Sequence, residues 1–576
     1  MSTVLAVAAA SAVVLTGCTS GSDKDEEGAK PSASTQPITI TYAYEQEFQA
    51  YNPNTADQNA SLNAVPLQQV LRGFWYYGPD GSVQPDTEFG TYEKVSDNPL
   101  TVKYTFNQKA VWSDGEPIDC DDAVLGWAAN NGKYKTGKKD SEGNDIAVFS
   151  SAGTVGYEDA DKPQCADGEK TFTLVYTKPF ADWVALFGGG SMMPAHIVEK
   201  ESGVPDIIAA VDGDDQAALK KAGEFYNTAW VYKKGELKPE ISPSSGTYQL
   251  SAWQAGQSLT LKANPKWWGT PPNAETIVIR FIKQDQQAQA LQNGEIQAMD
   301  PQPNAELLKQ LEGIGDSIKV TTGDQFTYEH LDFNLRNNSP FKDRDLREAF
   351  TKCLPRQQIV DNLIKPQNPK AQIQNSRYVF TFQSNYKKVA DAIVGTKHDA
   401  LDVEGAKSIL ESKGKAGMTV RIAYQTPNPR RTSQVDLIRD SCGQAGFKIV
   451  DAGSESFFAD GLFNGKFDIA MFAWAGSPLV TGSSSTYTTN GGNNFGKYTS
   501  PTVDDLISKL NAELNKDKQE ELIIQVEKAL WEDLATIPVY AFPGILATVS
   551  NGENFVYNAS QAGLMWNSNK WGLAAK

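Results

Sequence analysis

Histidine is scarce in this chain: His196, His330 and His398 are the only three in 576 residues, and they lie far apart. That argues against a histidine-built metal site. Cysteine is nearly as rare, with five in all, and no two stand at metal-finger spacing. Basic residues are outnumbered, 53 Lys and Arg against 70 Asp and Glu, for a net charge of −17. A surface of that sign does not release counterions from phosphates, which argues against a nucleic-acid partner. The densest basic run, Lys133, Lys135, Lys138 and Lys139, is broken by Gly, Tyr and Thr and reads as a solvated loop. No Gly-x-Ser-x-Gly elbow, phosphate loop or zinc helix occurs, and Gly188–Gly190 reads as a bare turn. Beyond the first residues, no segment is long and apolar enough to cross a membrane.

What is there describes a globular chain. Forty per cent of residues are hydrophobic and ten per cent aromatic, and the length gives a soft prior of about four domains' worth of core. Residues 2–17 carry no charge and are rich in Ala, Val and Leu, like the apolar centre of an export signal. The run ends in Leu15-Thr16-Gly17-Cys18, which resembles the bacterial lipoprotein box and implies a diacylglycerol on the Cys18 thiol. No Lys or Arg precedes the run, which points to a true start upstream of Met1. Residues 19–37 hold almost nothing to bury and read as a flexible tether. With Cys18 set aside, Cys120, Cys165, Cys353 and Cys442 remain, an even number in an exported protein. Nearest-neighbour pairing gives disulfides 120–165 and 353–442.

One stretch invites a catalytic or metal reading. Between Trp112 and Trp127 stand Asp114, Glu116, Asp119, Asp121 and Asp122, five carboxylates in nine residues. Asp114-Gly115 is turn chemistry, and Pro117 restricts the next step. Asp119 is placed as a helix N-cap, with Asp122 at the capping-box position and Asp121 in the first turn where the dipole favours it. Ala123, Val124 and Trp127 follow at helical spacing. The alternating ligands and spaced Gly and Glu of a calcium loop are missing. The cluster starts a helix and holds no metal.

Elsewhere the periodicities alternate. Leu346, Ala349, Phe350 and Cys353 form a helical stripe ended by Pro355. Ser500 caps a helix with Pro501 at its first position and Val503, Leu506, Ile507 and Leu510 inward. A further helix buries Ile523, Val526, Leu530 and Leu534 and is expected to close at Pro538. Strands are predicted at 38–44, 276–282 and 418–424, which gives an α/β class.

Several motifs, in order along the chain, carry a resemblance. The aromatic–Asp-Gly-x-Pro–acidic-helix stretch at 112–122 is followed by Pro179-Phe180 and Met193-Pro194-Ala195-His196. Ser245-Gly246-Thr247-Tyr248 and Asn264-Pro265-Lys266-Trp267-Trp268-Gly269 come next, then Leu291-Gln-Asn-Gly-Glu-Ile-Gln297 and Phe333–Phe341. Asp343–Phe350, Phe467–Trp474 and Tyr498–Asp504 complete the series. Together they resemble the extracellular solute-binding proteins of ABC importers in the peptide/nickel-type family, solute-binding family 5. Thr247 and Trp267 depart from it where Pro and Tyr are usual.

The resemblance implies a two-lobed, periplasmic-binding-protein-like fold of cluster C type, with an extra subdomain and a hinge of two segments. Lobe one would be residues 38–325 plus 541–576, with the subdomain at about 75–240, and lobe two residues 326–540; the crossings would fall near Phe326–Leu331 and Pro538–Phe542. It implies a non-catalytic monomer without cofactor that takes an oligopeptide, its main chain held as an added strand, to an ABC permease and ATPase. The lipid anchor would hold it on the extracellular face of the cytoplasmic membrane, or in the periplasm. His196 becomes scaffold. Candidate ligand residues are Phe472, Ala473 and Trp474, and Asn490, Asn493, Asn494 and Phe495 in a Gly-rich loop whose amides both donate and accept. Tyr44, Glu45, Phe48 and Trp75 join them from near the N-terminus. Relatives that grip a peptide amino terminus carry an acid just after the tryptophan; here the chain reads Trp474-Ala-Gly-Ser-Pro478. Glu45 or Glu47 would have to supply the countercharge, or the ligand has no ammonium. Sugars, glycolipids and chelated nickel are the other ligands the family suggests, nickel least with so few histidines.

Three short boxes point elsewhere. Ser339-Pro-Phe-Lys342, Ser96-Asp-Asn98 and Lys135-Thr-Gly137 match those of serine β-lactamases and penicillin-binding proteins, but in the wrong order. A serine hydrolase is therefore the weaker reading, as is a signalling lipoprotein without transport.

Overall fold

Asp119 does cap a helix. In the computed structural model, which describes residues 37–140, 143–395 and 397–575, α1 (Cys120–Asn130) starts directly after it. The Asp122 side chain reaches back to accept from the Asp119 N–H at 3.2 Å, closing the capping box. The same carboxylate is held from other sides too: Trp112 Nε1 donates to it at 3.1 Å and the Ala195 N–H at 2.8 Å. The cluster is a structural knot. His196, read as scaffold, hydrogen-bonds Asp114 at 2.8 Å beside it. Cys18, the export signal and all but the last residue of the tether lie outside the described residues.

Ten strands form the central mixed sheet: β1 (Thr39–Tyr44), β2 (Tyr248–Gln254), β3 (Ser258–Ala263), β4 (Thr276–Phe281), β5 (Ala298–Met299), β6 (Ile318–Phe333), β7 (Thr419–Ala423), β8 (Lys448–Asp451), β9 (Ile469–Ala475) and β10 (Thr536–Val549). Their spatial order is β8-β7-β9-β6-β10-β5-β1-β4-β3-β2. The segment between β1 and β2 carries its own three-stranded sheet (Gly90–Asp97, Leu100–Phe106 and Thr171–Val175) and α1.

The two long strands sit in the middle and pair antiparallel with each other. Their apolar side chains feed different cores at their two ends. Leu331 and Phe333 of β6, with Ile537, Val539 and Tyr540 of β10, pack with Phe350, Ile422, Ile438 and Ile469. Ile318 of β6, with Ile545 and Ala547 of β10, packs with Leu291, Leu307 and Leu311. The largest core, around Trp112, Trp230 and Trp571, gathers β1–β4 and the inserted sheet. Between Asp324 and Tyr328 the β6–β10 register shifts. The ladder is weakest where one core hands over to the next.

The helices expected from periodicity are present as α2 (Arg344–Cys353), α4 (Pro501–Ala512) and α5 (Lys516–Asp533), with α3 (Pro429–Gln444) between them. Ser500 caps α4 with Pro501 at its first position. The end of α5 differs from the reading above. It closes at Asp533 because Leu534 turns left-handed (φ 52°), and Pro538 lies four residues further on, inside β10. Pro538 stands opposite His330, beside a second register shift, where a missing N–H donor is tolerated. Both disulfides form with the expected partners, Cys120–Cys165 and Cys353–Cys442. The second ties the end of α2 to α3 across the β6–β10 core. Replacing Cys353 and Cys442 with Ala should lower stability by roughly 2–5 kcal/mol, read as a lower urea midpoint under oxidising conditions. Wild type treated with dithiothreitol should move toward the same midpoint.

Candidate functional site

A cavity of about 980 Å³ opens where the cores meet, at the upper end of the size of small-ligand sites. The end of β1 and the residues after it form one wall, with Trp75–Tyr77, Gly188–Ser191 and Asp300–Gln302. Opposite them stand β9, the segment 458–463 and the loops through Phe495.

The geometry of β9 sets what this wall can do. It pairs with β6 along its full length, Ile469 to Ala475. On its other side β7 reaches only Ile469 and Ala470, because the chain leaves β7 after Ala423 and Gln425 bridges to Ser454 instead. From Met471 onward no strand of the described residues pairs with the second edge of β9, and Phe472, Ala473, Trp474, Ala475 and Gly476 line the cavity. An exposed strand edge is normally covered or blunted. This one is enclosed.

Ionised groups in the wall are largely satisfied by the protein itself. Arg72 is held by Asp86 at 2.6 Å and Glu88 at 3.2 Å, and lies over the Trp267 ring. Arg377 pairs with buried Glu527 at 2.6 Å. Arg431 is bidentate to Glu329, at 2.7 and 3.1 Å, and Arg430 approaches the same carboxylate at 3.3 Å. Burial works against the charge of Glu329, but the two guanidiniums hold its carboxyl down at about 2. Two carboxylates face the other way in energy. Burial pushes Asp300 up to about 6, against the Tyr42 hydroxyl and the Leu564 N–H that bond it. Burial also raises Glu45, whose Oε1 accepts from the Gln302 N–H and from Gln284 Nε2, both at 3.2 Å. Gln302 continues the chain: its side-chain oxygen accepts from Asn428 and Arg430 of the α3 N-terminus, both at 3.1 Å.

The sequence-derived candidates divide. Tyr44, Glu45, Trp75, Phe472, Ala473, Trp474, Asn493 and Phe495 all reach the cavity. Phe48 does not: it is fully buried, edge-on to Trp253 at 5.6 Å. Asn494 is spent on its own loop, donating to Thr488 and Tyr498 carbonyls and accepting from the Tyr498 N–H. Asn490 is exposed and off the wall. The loop's glycines bring main chain close to protein: a Cβ at Gly491 would sit 2.1 Å from the Ser485 carbonyl oxygen. Glu47 is tied to Trp253, Gly256 and Lys234, away from the cavity. Gly188–Gly190 is more than a bare turn, since it lines the cavity and a Cβ at Gly188 would meet Trp75 at 2.4 Å.

Several lining residues were missed from sequence, among them Phe458, Phe463, Gln302, Asp300, Arg377 and Arg431. Two signals were there to be read. Arg430 and Arg431 stand in the first turn of a helix, where the dipole disfavours cations, so a buried acid was required. Phe457-Phe458 and Leu462-Phe463 are apolar pairs in an otherwise polar segment.

Compared with known families, residues 85–497 match the model of bacterial extracellular solute-binding proteins, family 5. The chain belongs to that family. It is 27% identical over 555 residues to an uncharacterized lipoprotein of Mycobacterium tuberculosis, covering 93% of each chain. It is also 27% identical over 512 residues to the oligopeptide-binding protein OppA of the same species, covering 87% of this chain and 79% of the other. Among solved structures, a periplasmic EDTA-binding protein, EppA, superposes with a TM-score of 0.77 at 22% identity, over 93% of this chain and 97% of that one. The fold is the two-lobed fold of these binding proteins. Among the described residues no helix is long and apolar enough to cross a membrane. The three hydrolase-like boxes are dispersed in this family 5 fold: Ser339 caps a one-turn helix, Ser96 is in the inserted sheet and Lys135 in an exposed hairpin.

The cavity carboxylates give this binding protein a pH signature. Asp300 holds its proton more tightly folded than unfolded, so it favours the fold below its ordinary value of 3.8. That contribution is lost as pH rises through about 6, by at most about 3 kcal/mol. The Asp300→Asn variant, followed by urea unfolding between pH 4 and 7, should show a flatter dependence than wild type. An unchanged slope would mean that Asp300 titrates as in the unfolded chain.

Proposed function

We propose that this family 5 protein, anchored through Cys18, captures extracellular oligopeptides in the cavity and delivers them to an ABC permease, whose ATPase partner hydrolyses the ATP. The observation that carries this reading is the second edge of β9, free of any strand from Met471 to Ala475 and turned into the cavity. A peptide main chain is the ligand that completes such an edge, giving affinity without reading side chains. A wall whose ionised groups are mostly paired already suits a ligand recognised by its amides. The OppA relative supports the same class by its name.

Lobe one would comprise residues 38–325 and 541–576, with the inserted subdomain at about 75–240, and lobe two residues 326–540. The hinge would be the register break of β6 and β10 between Asp324 and Tyr328, where the two cores separate. Ligand closure would turn one lobe on the other there. With no acid after Trp474, Glu45 would take the peptide ammonium, since it reaches the cavity and Glu47 does not.

Native mass spectrometry of the soluble chain from Thr19, followed by titration calorimetry with two- to eight-residue peptides, should show one bound peptide per monomer. N-acetylation or Glu45→Gln should each weaken binding roughly tenfold or more, and together no further. If an oligosaccharide or glycolipid binds and no peptide does, the peptide reading is wrong and the family assignment stands.

A further inference from the structure

A box of aromatic rings from the segments 458–463, 472–474 and 495 lines one part of the cavity. Phe458, Phe463, Trp474 and Phe495 all line the cavity and are only half-buried, over a floor made by buried Phe472. The rings are locked to one another. Phe495 stacks on Trp474 at 6.0 Å and meets Phe463 edge-on at 5.1 Å, while Phe472 meets Trp474 edge-on at 5.0 Å. Behind Trp474 the His330 ring stacks at 5.8 Å. The two outer walls come from segments thirty residues apart, and Arg336 clamps them: its guanidinium donates to the Phe495 carbonyl at 2.9 Å and to the Phe463 carbonyl at 3.3 Å. Gly465 beside this clamp has φ 63°, which favours glycine, and a Cβ there would lie 2.3 Å from the Arg336 Nη1 and displace it. Rings held this way do not collapse together when the space between them is empty, which keeps a pocket preformed.

Two buried polar atoms that belong to lining residues have no hydrogen-bond partner among the described residues. Trp474 Nε1 has no acceptor and Asn493 Oδ1 has no donor, and Asn493 is only 6% exposed. Buried polar groups are nearly always hydrogen-bonded, so each of these two atoms is left for an outside group. A ligand main chain carries both kinds of partner, a carbonyl for an indole N–H and an N–H for an amide oxygen. Trp474 is also on the open edge of β9, so a ligand main chain laid along that edge would project alternate side chains toward the rings.

We propose that this box is the specificity pocket of the cleft, and that it selects ligands carrying a large apolar side chain, preferably aromatic, next to an amide. The proposal deepens the peptide reading and rests on it for the source of that side chain. Charged side chains are disfavoured because the ring faces offer them no ion pair in exchange for lost water, while small ones leave the rings in contact with water.

The test varies one position of a peptide that binds, from Phe, Trp and Leu to Ala and Asp, and measures affinity by calorimetry with wild type, Phe463→Ala and Phe458→Leu. The expected result is that the aromatic and Leu peptides bind wild type roughly ten- to a hundredfold more tightly than the Ala peptide. Phe463→Ala should erase most of that preference and leave the Ala peptide's affinity within about threefold. The milder Phe458→Leu keeps the question open to measurement if Phe463→Ala folds poorly. Equal affinity across the series, or a preference for Asp, overturns the box while the peptide reading survives. A second arm titrates indole and N-acetyl-tryptophanamide, following tryptophan fluorescence quenching by a brominated analogue. If no peptide binds but these aromatics do, and Phe463→Ala abolishes it, the box stands and the peptide reading fails. If neither binds, both fail.

Discussion

The structure depends on two long strands paired through its middle. Among the described residues β6 and β10 are the only strands whose side chains reach both the core around Phe350 and Ile438 and the core around Leu291 and Leu311. A pair that serves two cores has to change partners part-way, and the register breaks where it does. The same arrangement fixes the cavity, since β9 is hung on β6 with its far edge left bare. The register break and the open edge thus come from one constraint.

Charge is handled in a way that fits a receptor better than a catalyst. The Glu329 carboxylate sits fully buried on β6 and is held ionised by Arg430 and Arg431. Arg377 is buried against Glu527 in the same manner. Buried pairs of this kind add little net stability, but breaking one leaves a charge without compensation. They fix side chains in place around the ligand space. The uncommitted chemistry of the wall is aromatic rings, amides and an open main-chain edge. The two carboxylates that burial pushes upward, Asp300 and Glu45, are the groups there that gain most from a cation.

Much of the fold was legible because it follows local rules. Asp119 and Asp122 announce a helix start by position alone, and Ser500-Pro501 does the same for α4. Where local rules and tertiary context compete, the reading slipped. Pro538 looks like a helix stop, yet Leu534 had already ended α5 and β10 absorbed the proline at a register shift. Phe48 and Asn494 have the residue types of a ligand wall but are spent inside the protein, on Trp253 and on a loop carbonyl network. Residue type does not say which way a side chain points.

The sequence by itself determined the class of this protein: an α/β chain with two disulfides, a net negative charge, and motifs in the order of family 5. Those properties are written in composition, periodicity and short spacings, which need no partner to be read. Only the tertiary structure decided which residues meet at the cavity. Glu45 faces it and Glu47 does not, because the chain bends at Glu45 and Gln46 after β1 and Glu47 is held by Trp253, Gly256 and Lys234. Phe458, Phe463, Trp474 and Phe495 become one box only when Arg336 draws two distant loops together. The open edge of β9 exists only because β7 turns away early. Each of these is a fact about long-range packing, which local sequence does not encode.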